Sequence, residues 1–357
     1  MIVTVTLNAA LGVSYQARGV TWDGTNQVSG VRYRAAGRGV AVARVLHTFG
    51  HEVMAAGLAG GSAGEMIRAD LSRSGIPAEF TGIRRESRRV LEVRDGADGR
   101  LLRFSEPGPY ITTEELGRLA ADYRRWLAGA TAVVLCGSLP AGMPPEIYGS
   151  LASYAAEAGV PAILDAGGAA LRYGVSRRPE LVIPDLDGPP GAGGAAGRPG
   201  EAGPGANGHP GEARPGANGR PGEARPGANG RPAEAGPEAR TGPGEAGPAA
   251  NGGLDPQALI AGGARAVALL SGHAVRAVTA AGTWQARLPA AGGPDWSRDA
   301  LVAGLVPGVL LGWSWPDRLR HAVALGASAT AEGEVDLEAY ERLVGEVRVT
   351  LPAEPDA

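Results

Sequence analysis

Between Gly188 and Gly253 the chain stops obeying the rules of a packed fold. It reads GPPGAGGAAGRPG and then runs through near-repeats of an eleven-residue unit, HPGEARPGANG, RPGEARPGANG and RPAEAGPEART. Glycine is not held at every third place, so a collagen helix is not expected. Large apolar side chains are nearly missing, so the segment cannot offset the entropy of ordering its backbone, and disorder is expected. A repeat expansion tolerated in a surface loop is the simplest account, and a binding tether or spacer is the functional alternative. Much of the excess in the chain's 58 Gly and 28 Pro sits here. Removing the segment leaves roughly 290 residues, enough for one large domain. The expected organisation is a first part over 1–187, the insertion over 188–253 and a second part of the same domain over 254–357.

Outside the insertion, strand and helix signals alternate. IVTVT is a β-branched strand, and Val42, Val45, Leu46 and Phe49 then fall at helical spacing with Gly50 as a stop. EVMAAGLAGG reads as a strand and AGEMIRADLSRSG as a helix, followed by RRVLEVRDGADGRLLRFS, a hairpin about a D-G turn. A capping box from Thr112 to Glu115 opens a helix whose apolar stripe is Leu116, Leu119, Tyr123 and Leu127. AVVLC, PAILD and ELVIP are buried strands, and after the insertion come a helix, a strand, two short strands (VRAVT, TWQARL) and three helices. This alternation predicts an α/β fold, a doubly wound, mostly parallel sheet with helices on both faces. Ligands bind beyond the carboxyl ends of strands in such sheets, so GSLPAG, DAGG and PDLD draw attention.

A net charge of −3 and few aromatic residues point away from nucleic acid and anionic membranes. The single cysteine, Cys136, excludes an intramolecular disulfide, fits a reducing compartment and reads as a small buried hydrophobe. No basic, apolar leader and no run of ~20 apolar residues is seen, so a cytoplasmic location is expected. GRGVAVA imitates a dinucleotide fingerprint, but VRYRAA before it is charged and alternating rather than a buried strand. Cys and His show no zinc spacing, and His273 reads as an exposed loop residue.

Several segments, in order, resemble the PfkB carbohydrate kinases, in particular the 1-phosphofructokinase and tagatose-6-phosphate kinase branch. They are TLNAALGVSY, AAGRGVAVARVLHTFG, GLAGGSAG, ESRR, EPGP, CGSLPAGMP, DAGG, IPDLD and RDALVAG. The resemblance spans nearly the whole chain outside the insertion. It implies a ribokinase-like fold with a small β lid near Val13–Tyr33 and Arg88–Ser105, and phosphoryl transfer from Mg-ATP to a phosphorylated hexose such as a fructose or tagatose phosphate. It also implies a homodimer through the lid.

By the same resemblance, Asp299 stands at the catalytic base, although an Asp there also suits a helix N-terminus. Gly37, Arg38, Gly39 and Arg88 stand at substrate positions, Arg88 alternatively being a solvated strand charge beside Arg84, Arg85 and Arg89. Asp185, Ser271 and Gly272 stand at nucleotide positions.

The chain also departs from the family pattern. Trp296, Ser297 and Arg298 replace the G-A-G anion nest, where glycine allows close phosphate approach. Arg298 either supplies charge in its place or blocks the phosphate pocket. Gly12 replaces the Asp that grips sugar hydroxyls, Ala41 replaces an Asn, and N-x-x-E becomes Asp185 to Gly188, with Asp187 as a substitute acid. Losses at every sub-site imply weak or absent turnover, the alternative being a catalytically silent binder of sugar phosphate or nucleotide, or a structural partner.

Overall fold

The computed structural model describes residues 1–185, 254–271, 274–288, 296–330 and 334–351. The Gly/Pro-rich repeats, Asp187, Gly188, Gly272 and His273 lie outside the described residues.

Apolar, β-branched runs supply the body. Strands β1 (Ile2–Thr6), β4 (Val53–Gly60), β8 (Ala132–Cys136), β9 (Ala162–Ala166) and β10 (Leu181–Pro184) are buried along their whole length. That is the signature of parallel strands covered on both faces. With β5 (Ala78–Ile83), β11 (Ala266–Ser271), β12 (Ala274–Thr279), β13 (Gly282–Arg287) and β14 (Arg348–Thr350) they form a ten-stranded sheet. Its order is β14-β13-β12-β11-β10-β9-β8-β1-β4-β5. Pairing is parallel from β5 through β11 and antiparallel from β11 through β14. Val182 of β10 pairs with Val267 of β11, so segments from either side of the repeats share this sheet. Neither β5, at one edge, nor the three-residue β14, at the other, is signalled in the sequence.

Helices cover both faces. α1 (Arg38–Thr48), α2 (Gly61–Arg73), α7 (Arg298–Leu310) and α8 (Trp315–Ala327) pack into one apolar cluster, with α9 (Leu337–Glu346) at its margin. α3 (Thr113–Leu127), α4 (Ile147–Glu157), α5 (Gly168–Val175) and α6 (Pro256–Ala261) line the opposite one. The expected capping box is present: Thr112 accepts from the Glu115 amide, and Glu115 accepts from the Thr112 amide at 2.8 Å. Cys136 is fully buried. No described helix is long and apolar enough to cross a membrane.

A second sheet of four strands stands over the body, in the order β3-β2-β6-β7, from β2 (Ala10–Ala17), β3 (Val28–Ala36), β6 (Arg88–Asp95) and β7 (Leu101–Ser105). This is the expected lid. Asp70 of α2 accepts from the Ala35 amide at 2.8 Å and pairs with Arg44 of α1, tying β3 to the body.

Candidate active site

The site forms where the carboxyl ends of β1, β8, β9 and β10 meet the amino ends of α1 and α7. Two glycines let α1 begin there. Gly37 has φ +121, a conformation that side-chain-bearing residues rarely adopt. A Cβ on Gly39 would lie 2.5 Å from Thr6 Oγ1, so only glycine lets the first turn settle on β1. Arg38, between them, is the first residue of the helix and extends over the strand ends.

There it meets acids. Arg38 Nη1 donates to Asp165 Oδ1 at 3.3 Å, and Nη2 donates to Asp185 Oδ2 at 2.7 Å. Burial pulls the Arg38 guanidinium down, but Asp165, Asp185 and Asp299 more than offset this and hold it above its ordinary value. Asp165 is 0 % exposed and also accepts from Arg298 Nη2 at 2.7 Å. The same Arg298 nitrogen donates to the main-chain oxygens of Ile183 at 3.3 Å and Pro184 at 3.0 Å.

The three residues standing for the glycine nest are thus each taken up by the protein itself. Trp296 packs against the core beside Gly326. Ser297 caps α7, its Oγ accepting from the Ala300 amide at 3.2 Å. The Arg298 guanidinium turns inward to Asp165 and β10 rather than outward to a ligand.

Asp299, in the first turn of α7, lies at the base of a cavity of about 780 Å³ between lid and body. Burial, then the neighbouring Asp165, raise its carboxyl to about 7, against the lowering pull of Arg38 and Arg298. Gly12, Gly37, Arg38, Ala41 and Arg88 also line this cavity. Gly12 and Ala41 present no polar side chain to it. Arg88 donates to the Asn8 carbonyl oxygen at 3.3 Å and to Ser105 Oγ at 2.9 Å, with no carboxylate partner among the described residues. Burial lowers its pKa, the mark of a cation held out of water.

Gly39 sits behind the cavity wall against Thr6, and Ser271 lies exposed at the end of β11. Glu86 of the ESRR segment holds the start of α2 in place, accepting from the Ala63 amide at 2.6 Å and from Ser62 Oγ at 2.8 Å. The sequence draws attention to the DAGG segment but does not single out its first residue, Asp165, as a site residue. Its signal was an acid inside the buried strand AILDA, tolerated only with a paired cation.

A divalent metal does not fit the acids seen here. Arg38 and Arg298 engage Asp165, Arg38 engages Asp185, and the described residues contain no group of three His, Cys, Asp or Glu able to hold an ion.

A doubly wound sheet, a β lid over its carboxyl edge and an acid at a helix start facing the covered cavity define a ribokinase-like protein. The chain belongs to the pfkB family of carbohydrate kinases, whose profile matches residues 6–184. Among solved structures it is similar to phosphofructokinase-2 from Escherichia coli in its tetrameric inhibited form, with 21 % identity, TM-score 0.72, and 96 % of this chain and 98 % of that one covered. The same enzyme in complex with fructose-6-phosphate matches at 20 % identity and TM-score 0.71, over 96 % and 98 % of the two chains. A candidate 1-phosphofructokinase from Thermotoga maritima matches at 20 % identity and TM-score 0.70, over 98 % and 99 %.

Proposed function

We propose that this protein binds a phosphorylated hexose under its lid and transfers a phosphoryl group to it from ATP at a strongly reduced rate. The observation that carries this reading is the pairing, in one cavity, of Asp299 with Arg88, a desolvated cation lacking a carboxylate partner among the described residues. A sugar phosphate supplies the anion that Arg88 lacks. Asp299 accepts the proton of the attacking hydroxyl as its oxygen bonds to the γ-phosphorus and the bond to the ADP leaving oxygen breaks. With a carboxyl titrating near 7, the base suits neutral pH.

The reduced rate follows from the anion positions. In-line transfer needs donors aimed at the moving phosphoryl group, whereas the side chains of Ser297 and Arg298 are engaged with the protein. Those contacts equally favour a second reading, a silent sugar-phosphate binder. In either case two copies associate through the lid, where Val31, Tyr33 and Phe104 are exposed large apolar side chains.

The test is ADP release with ATP and fructose 1-phosphate, fructose 6-phosphate or tagatose 6-phosphate, against Asp299→Asn. Sugar-dependent release lost in that variant supports the slow kinase. Binding without release supports the silent binder, and neither binding nor release refutes both.

A further inference from the structure

Arg298 Nη2 sits in a cage of oxygens. Asp165 Oδ1 at 2.7 Å, the Pro184 carbonyl oxygen at 3.0 Å and the Ile183 carbonyl oxygen at 3.3 Å converge on this one nitrogen. They come from the ends of two adjacent strands, β9 and β10, whose register sets Ile183 against Asp165 and Pro184 against Ala166. Immediately after Pro184, Asp185 keeps a buried oxygen, Oδ1, without a hydrogen-bond partner. A carboxylate and main-chain carbonyls closing on a point are the ligand set of a hard metal cation. An NH₂ group has two hydrogens, so with three acceptors in reach one hydrogen is shared, and the nitrogen meets more oxygens than it has hydrogens to give.

The geometry points to Arg298 as a tethered cation: its guanidinium fills an oxygen cage that would otherwise take a metal ion, and makes the site independent of one. A side chain of this chain supplies the charge that closes the strand ends, at fixed stoichiometry and without a free ion. The fork also cannot turn toward a ligand without abandoning Asp165, a buried acid whose remaining cationic partner is Arg38. This inference rests on the cage alone and does not require that a sugar or a nucleotide binds.

Thermal unfolding without sugar or nucleotide tests it, comparing wild type, Arg298→Ala and Arg298→Lys. Each is measured in chelator with choline chloride, then with Na⁺, K⁺, Mg²⁺ or Ca²⁺ at matched ionic strength. Wild type is expected to melt at the same temperature in all of them. Arg298→Ala is expected to lose roughly 5 °C or more and to recover at least half of that with one of the ions. Arg298→Lys, which keeps a tethered charge, is expected to stay unresponsive.

A wild-type melt that rises with any of these ions overturns the inference. So does an Arg298→Ala protein that no ion restores, or an ion response in Arg298→Lys. If Arg298→Ala does not fold in chelator, refolding is attempted in each ion; recovery in one of them supports the cage, and recovery in none refutes it. None of these readouts depends on catalysis, so failure of the kinase reading and failure of this one are separable.

Discussion

Arg298 donates to Asp165 at 2.7 Å across 133 residues of sequence, joining the start of α7 to the carboxyl end of β9. The acid is wholly buried, and Arg38 reaches it from a third element. A buried charge of this kind persists only when its neighbours neutralise it.

Removing that charge is therefore costly. Asp165→Asn leaves two guanidinium groups facing a neutral amide and is expected to lower unfolding stability by about 3–5 kcal/mol. Urea denaturation measures this, and a loss below about 1 kcal/mol shows that the pairs contribute little beyond their solvation.

The Asp299 carboxyl, raised to about 7, makes stability depend on pH. The folded protein holds this proton more tightly than the unfolded chain, so the contribution is complete below the ordinary aspartate value and is lost as pH rises through about 7. Relative to Asp299→Asn, the wild type is expected to weaken steadily over that window. Denaturation midpoints of both proteins across pH check it; parallel curves contradict the raised value.

Arg88→Ala is expected to weaken binding of fructose 6-phosphate ten- to a hundredfold, since a charged hydrogen-bonding group contributes about 1.5–3 kcal/mol. Its melting temperature is expected to hold or rise slightly, because a desolvated cation without a carboxylate partner among the described residues is removed. Calorimetric titration with a melt of the same sample separates the two effects. Unchanged affinity removes Arg88 from the phosphate site.

Gly12→Asp tests the reduced sugar side. A Cβ there would lie 3.2 Å from the Arg34 carbonyl oxygen, a tight contact that a shift of a few tenths of an ångström relieves. The new carboxylate faces the cavity and is expected to tighten phosphosugar binding about five- to tenfold through a hydroxyl contact. The same titration reads it, and weaker binding indicates that the added carboxylate competes with the phosphosugar for the arginines lining the cavity.

Much of this architecture was legible along the chain because its signals are local. Burial on both faces wrote uninterrupted apolar runs into AVVLC and LVIP and a β-branched run into IVTVT, and helical spacing marked Val42, Val45 and Leu46, all buried in α1. Edge strands β5 and β14 escaped notice because a partly exposed strand needs no continuous apolar run. Ordered motifs single out Asp299, Arg38 and Arg88 as candidates, and all three line one cavity.

Which segments become strands and helices is written in the chain itself, because periodicity and glycine placement act over a few residues. Whether Arg298 supplies charge to a ligand or closes the pocket is not written there. Folding settles where that guanidinium goes, since its partners, Asp165, Ile183 and Pro184, lie more than 100 positions away and meet it only when β9, β10 and α7 are packed together. Electrostatic pairing depends on distance in space, and for this site the chain order carries no record of that distance.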